Sequence, residues 1–172
     1  MNRLLFSQTI NAPAAAVYRT MLGLDDIATY QQWTALFNPT STWEGSWDKG
    51  SKILFVGINE DGTRGGMVSE IAENIPNSFV SIRHNGILEG DKEITEGPQV
   101  EAWAGGLENY RFTEADGVTT ITVETDSVAE FVDYFQDTSP KGTGEIAGGC
   151  GRIIIAFSIA AICVFLLIHD MQ

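Results

Sequence analysis

Glu108 and Tyr110 stand two residues apart in LENYRF, where strand alternation sets Glu108, Tyr110 and Phe112 on one face. A carboxyl held among aromatic rings, with an imidazole in reach to exchange a proton, is a unit of general acid and base chemistry. His84, at the end of SFVSIRH, supplies that imidazole if its strand runs beside the first. The same residues allow a plainer arrangement, in which Glu108 pairs with Arg83 or Arg111 and has only a structural role. Trp33, Phe37, Trp43, Trp47, Phe55 and Trp103 supply apolar surface, either as core or as the wall of an apolar site.

Other patterns fail on inspection. GSWDKGSK, from Gly45 to Lys52, imitates a phosphate loop, but Ser and Lys are exchanged and it runs into a strand where the mechanism needs a helix N-terminus. A turn between strands is the simpler reading. Metal ligation lacks ligands, because His84 stands alone, while His169, Cys150 and Cys163 sit near the C-terminus without zinc-like spacing. No cofactor is expected. Asp25 and Asp26 suit a solvated helix start, and no nucleophile has a base assigned to it.

The elements that would position these groups are legible from periodicity. Leu4 to Ile10 suits a strand. NAPAAAVYRTML predicts a short helix with Pro13 at its first position. LDDIATYQQWTALFNP reads as an aromatic linking segment with a helical turn, ended by Pro39. Strands follow at KILFVGI, GGMVSEIAEN and SFVSIRHNG, separated by the turn signals EDGT and Pro76-Asn77. The polar stretch from Ile87 to Ala104, broken by Gly90, Gly97 and Pro98, reads as a long loop, a length that often belongs to a lid. LENYRFTEA and VTTITVETD form a hairpin through Asp116 and Gly117, with Thr119, Ile121 and Val123 facing a core. From Val128, AEFVDYFQDT has helical period.

Composition narrows the function. The 172 residues suit one domain, and 23 acidic against 10 basic residues give a net charge of -13. The tail from Gly142 holds only Glu145, Arg152 and Asp170, so its -1 leaves -12 on residues 1–141. Such a field repels phosphate backbones and anionic lipid, which argues against nucleic-acid partners and electrostatic membrane binding. Both cysteines lie in the tail, which suits a reducing cytoplasm, and MNRLLFSQTI lacks the unbroken apolar run of a secretion signal.

Taken together, INAPAAAVY, the linker with Trp33 and Phe37, WEGSWDKGSKILF, GTRGGMVSEI, HNGIL, WAGGLENYRFTEADGVTTITVETD and FVDYFQDTSPK resemble the SRPBCC superfamily. Within it they are most similar to the branch of activators of the ninety-kilodalton heat-shock ATPase, over about residues 3–141. The resemblance implies an α+β helix-grip fold: a curved antiparallel sheet wrapped around a C-terminal helix, with two short helices after the first strand. It also implies a hydrophobic cavity between sheet and helix, lined or lidded by Trp33, Phe37, Trp43, Phe55, His84, Trp103, Glu108, Tyr110 and Phe112. The expected function is non-catalytic binding of a small hydrophobic molecule, lipids included. The alternatives are a co-chaperone that stimulates a heat-shock ATPase, and an acid/base enzyme acting through Glu108 and His84.

The tail departs from that pattern. GTGEIAGGCG holds five glycines in ten residues where the superfamily continues its closing helix. A coding string for residues 142–149, read one base later, gives Ala-Leu-Ala-Lys-Ser-Leu-Glu-Asp, which fits that helix. A frameshift beginning near Lys141 is therefore one expectation. A membrane anchor is another, although the sixteen uncharged residues from Ile153 to Ile168 span about 24 Å as a helix against about 30 Å of hydrocarbon. A buried closing helix is the third. A membrane partner enters only if the tail is genuine.

Overall fold

Alternating apolar and polar residues draw most of the chain into strands, and a computed structural model describes residues 2–35 and 38–127. In chain order these residues form β1 (Asn2–Ile10), α1 (Ala14–Leu22), α2 (Ile27–Thr34), β2 (Thr42–Gly45), β3 (Lys52–Ile58), β4 (Arg64–Ile75), β5 (Phe79–Glu89), β6 (Lys92–Ile94), β7 (Gly106–Ala115) and β8 (Val118–Ser127). The strands build one antiparallel sheet in the order β1, β8, β7, β5, β4, β3, β2, with β6 attached to β5. This is the expected α+β arrangement, a curved sheet with two short helices after its first strand. Register shifts at Val68/Ser69 and Ile71/Glu73 between β4 and β5 add local twist and bend to the sheet's middle.

One face of the sheet is dry. On β8, Thr119, Ile121 and Val123 are buried, whereas Thr120, Thr122 and Glu124 are only half-buried, as the alternation of VTTITVETD predicts. The β7–β8 hairpin closes through Asp116 and Gly117, at φ 52° and 76°. Positive φ at both positions is the backbone that matches strand twist in a two-residue turn.

Both helices differ in detail from the sequence reading. Pro13 precedes α1 in extended conformation (φ -61°, ψ 147°) instead of occupying its first turn. It has no side-chain acceptor to offer, so the Ala14 N–H donates to Glu114 Oε2 of β7 at 2.7 Å, which caps the helix from a distant strand. The aromatic linker is an eight-residue helix, α2, whose first turn is capped by Asp26 accepting from the Ala28 N–H at 2.9 Å. Asp25 is not part of that start, since it pairs with Arg19. α2 ends at Thr34, before Pro39 can act on it.

The long loop expected over Ile87 to Ala104 is also corrected. β5 continues to Glu89, and Gly90 and Asp91 turn the chain directly into β6, with Glu89 opposite Lys92. Burial of the neighbours Ile87 and Leu88 holds the strand together, because one faces the main core and the other a small cluster with Val56 and Val68. Between β6 and β7 the irregular segment is confined to residues 95–105, about three fifths of the length expected. The helical run from Val128, the boundary near Lys141 and the tail lie outside the described residues. Among the described residues, no helix is long and apolar enough to cross a membrane.

Candidate functional site

Where α1 and α2 meet the inner face of β3, β5 and β7, the side chains leave a cavity. Its apolar wall is Met21, Leu22, Trp33, Trp47, Phe55 and Ile82, and its polar wall is Tyr30, His84, Glu108 and Tyr110. About 380 Å³ is unfilled by atoms, part of it open to solvent.

The polar wall is a continuous hydrogen-bonded chain. In the β5–β7 register, Ile82 faces Glu108 and His84 faces Gly106, so the imidazole reaches Glu108 on the diagonal. His84 Nε2 lies 3.0 Å from Glu108 Oε2, and Tyr110 donates its hydroxyl proton to Glu108 Oε1. On the other side, Ser69 Oγ of β4 lies 3.0 Å from His84 Nδ1. His84 can face inward together with Ile87 because Asn85 is skipped between the Val68–Gly86 and Ser69–His84 pairs, which resets the alternation. All four residues are buried, Glu108 to 2 % exposure. With Glu108 ionised, Tyr110 O–H and His84 Nε2–H donate to its two oxygens while Nδ1 accepts from Ser69, and no nitrogen or proton of the chain is wasted.

Neither arginine pairs with Glu108, which corrects the structural alternative. Arg83 lies 3.8 Å from Glu70, and the Arg111 guanidinium sits 4.9 Å over the Phe79 ring. Both occupy β-positions whose parity sends them to the other face of the sheet, so the carboxylate is left to His84 and Tyr110.

Of the residues expected to form the cavity, Trp33, Phe55, His84, Glu108 and Tyr110 are in its wall. Trp43 is not: it packs edge-on against Trp47 and donates its indole N–H to the Leu22 carbonyl at 3.0 Å. Phe112 shares the face of Glu108, but it lies further along β7, under the edge of Tyr18 from α1. Trp103 is bound within its own segment, donating to the Gln99 carbonyl. Phe37 lies outside the described residues. Met21, Leu22, Tyr30 and Ile82 escaped the sequence reading. Two signals were available: Tyr30 and Trp33 at i and i+3 on one helix face, and Ile82 two residues before His84.

Burial raises the Tyr30 phenol above its ordinary pKa of 10.0, with Ser41 opposing by hydrogen bonding and the Glu108 charge adding to the rise. Tyr18 is also raised, first by burial. A raised folded pKa means that the native state keeps a proton which the unfolded state releases. The stability this gives is fully present below the unfolded value of 10.0 and is lost as pH rises through the folded values. Stability should therefore fall above about pH 10, by up to about 1.4 kcal/mol per pH unit for each phenol. Urea unfolding at successive alkaline pH values checks this, with Tyr30→Phe expected to flatten the decline; an unchanged slope in that variant would count against it.

Among the described residues, no group of three His, Cys, Asp or Glu side chains is placed to hold a metal ion. No family model and no curated protein matches the chain. Solved structures do. Protein Ms6760 from Mycobacterium smegmatis superposes with a TM-score of 0.54 at 18% identity, covering 78% of this chain and 78% of its own. MLL2253 from Mesorhizobium loti gives 0.54 at 12% identity, over 80% of this chain and 85% of its own. The Aha1 dimer from Colwellia psychrerythraea gives 0.51 at 18% identity, over 80% and 84%. The chain thus shares its fold with these proteins, the Aha1 dimer among them.

Proposed function

We propose that the protein binds a small hydrophobic molecule in this cavity and releases it unchanged. The observation that carries this reading is the division of the wall. Six apolar side chains offer surface to an occupant, whereas His84 and Glu108 are already engaged with each other and with Ser69 and Tyr110. A general base needs a position open to its substrate, and here each imidazole nitrogen and each carboxylate oxygen already has an intramolecular partner.

Trp33 and Trp47 in the wall make the test direct. Titration with lipidic and aromatic compounds should give a saturable change in tryptophan emission. Ile82→Phe, which fills part of the space, should weaken it at least about tenfold with the circular dichroism spectrum preserved. Absence of saturation across a broad panel would sink the proposal.

A second reading, acid/base turnover of the bound molecule, is favoured by the His84–Glu108 contact inside the cavity. It requires Glu108→Gln to abolish turnover while binding persists. The co-chaperone alternative is supported by the resemblance to the heat-shock activators, and stimulation of such an ATPase by the purified chain would favour it. The absence of cysteine from residues 1–141 supports a cytoplasmic site of action.

A further inference from the structure

Three of the four tryptophans spend their indole N–H on a backbone carbonyl at 3.0 Å: Trp33 on Met21, Trp43 on Leu22 and Trp103 on Gln99. The fourth does not. Trp47 is 6 % exposed, and its Nε1 has no hydrogen-bond partner among the described residues. An N–H taken out of water without an acceptor is unfavourable, and native structures leave few such groups.

Trp47 itself belongs to the cavity wall, and its neighbours hold the ring. Its carbonyl accepts from Asn74 Nδ2 at 2.7 Å, and Asn74 Oδ1 in turn accepts from the Tyr18 hydroxyl at 2.7 Å. The ring is packed against Trp43, with centroids 5.9 Å apart, and Phe55, at 5.7 Å. A donor fixed by packing and backbone has little freedom to turn toward a partner among the described residues, and it loses little further freedom when an acceptor arrives.

Resting on the cavity being a ligand site, we infer that the Trp47 indole N–H is its recognition donor and that the ligand is a compact, neutral, apolar molecule carrying a carbonyl-type acceptor. Neutrality follows from the rest of the wall. Among the described residues no Lys or Arg lines the cavity, and Glu108 already contributes a carboxyl group. A carboxylate ligand would bring a second acidic group into that space with no fixed cation to meet it. A plain hydrocarbon would offer the indole N–H no acceptor.

The test uses the full chain and three probes of similar shape: acetophenone, α-methylstyrene, in which the carbonyl oxygen is replaced by a methylene, and benzoate. Affinities are measured by calorimetry, and nitrogen–proton correlation spectra follow the four indole signals, with Trp47→Phe assigning the relevant one. Acetophenone should bind about tenfold tighter than α-methylstyrene, move the Trp47 indole proton downfield, and outcompete benzoate. In Trp47→Phe the preference for the ketone should disappear while α-methylstyrene still binds. Equal affinity of the two neutral probes in the parent protein, a ketone preference that survives Trp47→Phe, or an unmoved Trp47 indole signal overturns this inference alone. Failure of both neutral probes to bind the parent protein overturns the cavity reading and this inference with it. The indole shift is read on the parent protein, so the outcome does not depend on how the variant folds.

Discussion

Glu108→Leu is expected to destabilise the protein by about 3 kcal/mol, a large loss for one side chain of unchanged approximate size. The carboxyl is 2 % exposed and joins Tyr110 to His84. Leucine fills much of its space, so the cost does not come from a void. It comes from the imidazole and the phenol, each left facing an apolar neighbour in a site that water does not reach freely. If that account is right, the losses are not additive. His84→Leu alone removes the other end of the contact, but once Glu108 has gone the imidazole has no carboxylate to lose. The double variant should therefore cost about 1–3 kcal/mol less than the sum of the two single variants, a coupling that urea unfolding of all four proteins measures. Additivity within about 0.5 kcal/mol would mean that the His84–Glu108 contact does not stabilise the fold.

Gly66→Ala is expected to cost about 3 kcal/mol or more and to weaken ligand binding at the same time. Gly66 has φ +152°, which L residues rarely adopt, and an added Cβ would stand 1.9 Å from the Phe55 carbonyl oxygen and 2.9 Å from its carbon. Those are backbone atoms of the paired strand, where Gly66 faces Val56. They cannot swing aside as a side-chain end would, so β3 and β4 must separate locally and break ladder hydrogen bonds. Phe55 is itself in the cavity wall, so the displacement should reach the cavity and any molecule bound there. Gly62→Ala is the control. It also has positive φ, +82°, but nothing lies within 4 Å of its added Cβ. It should carry only the conformational cost, about 1 kcal/mol, and leave binding unchanged. Equal effects of the two substitutions would show that close approach at Phe55 is not the cause.

What the sequence determined by itself is what local physics controls. Alternation in LENYRF put Glu108 and Tyr110 on the inner face, and Asp116-Gly117 set the β7–β8 turn, because both depend on a few consecutive residues. The helix-forming residues of AAAVYRTML likewise made α1 a helix, although Glu114 from a distant strand caps its first turn. The tertiary structure decided the rest, for reasons that lie far apart in the chain. Polar composition concealed β6 and the end of β5, whose strands hold because Ile87 and Leu88 are buried on opposite faces. α2 looked like a linker because its best stabilisers are an N-cap and the packing of Tyr30 and Trp33, not helix-forming side chains. The skipped pairing at Asn85 is a property of two strands at once, yet it is what turns His84 toward Glu108 and Ser69. No single segment shows that three indoles reach carbonyls and Trp47 does not, since each acceptor lies on a backbone brought there by the fold. The sequence placed the chemistry-bearing residues on the right faces, whereas only long-range register and packing determined which of them meet and which indole N–H is left without a partner among the described residues.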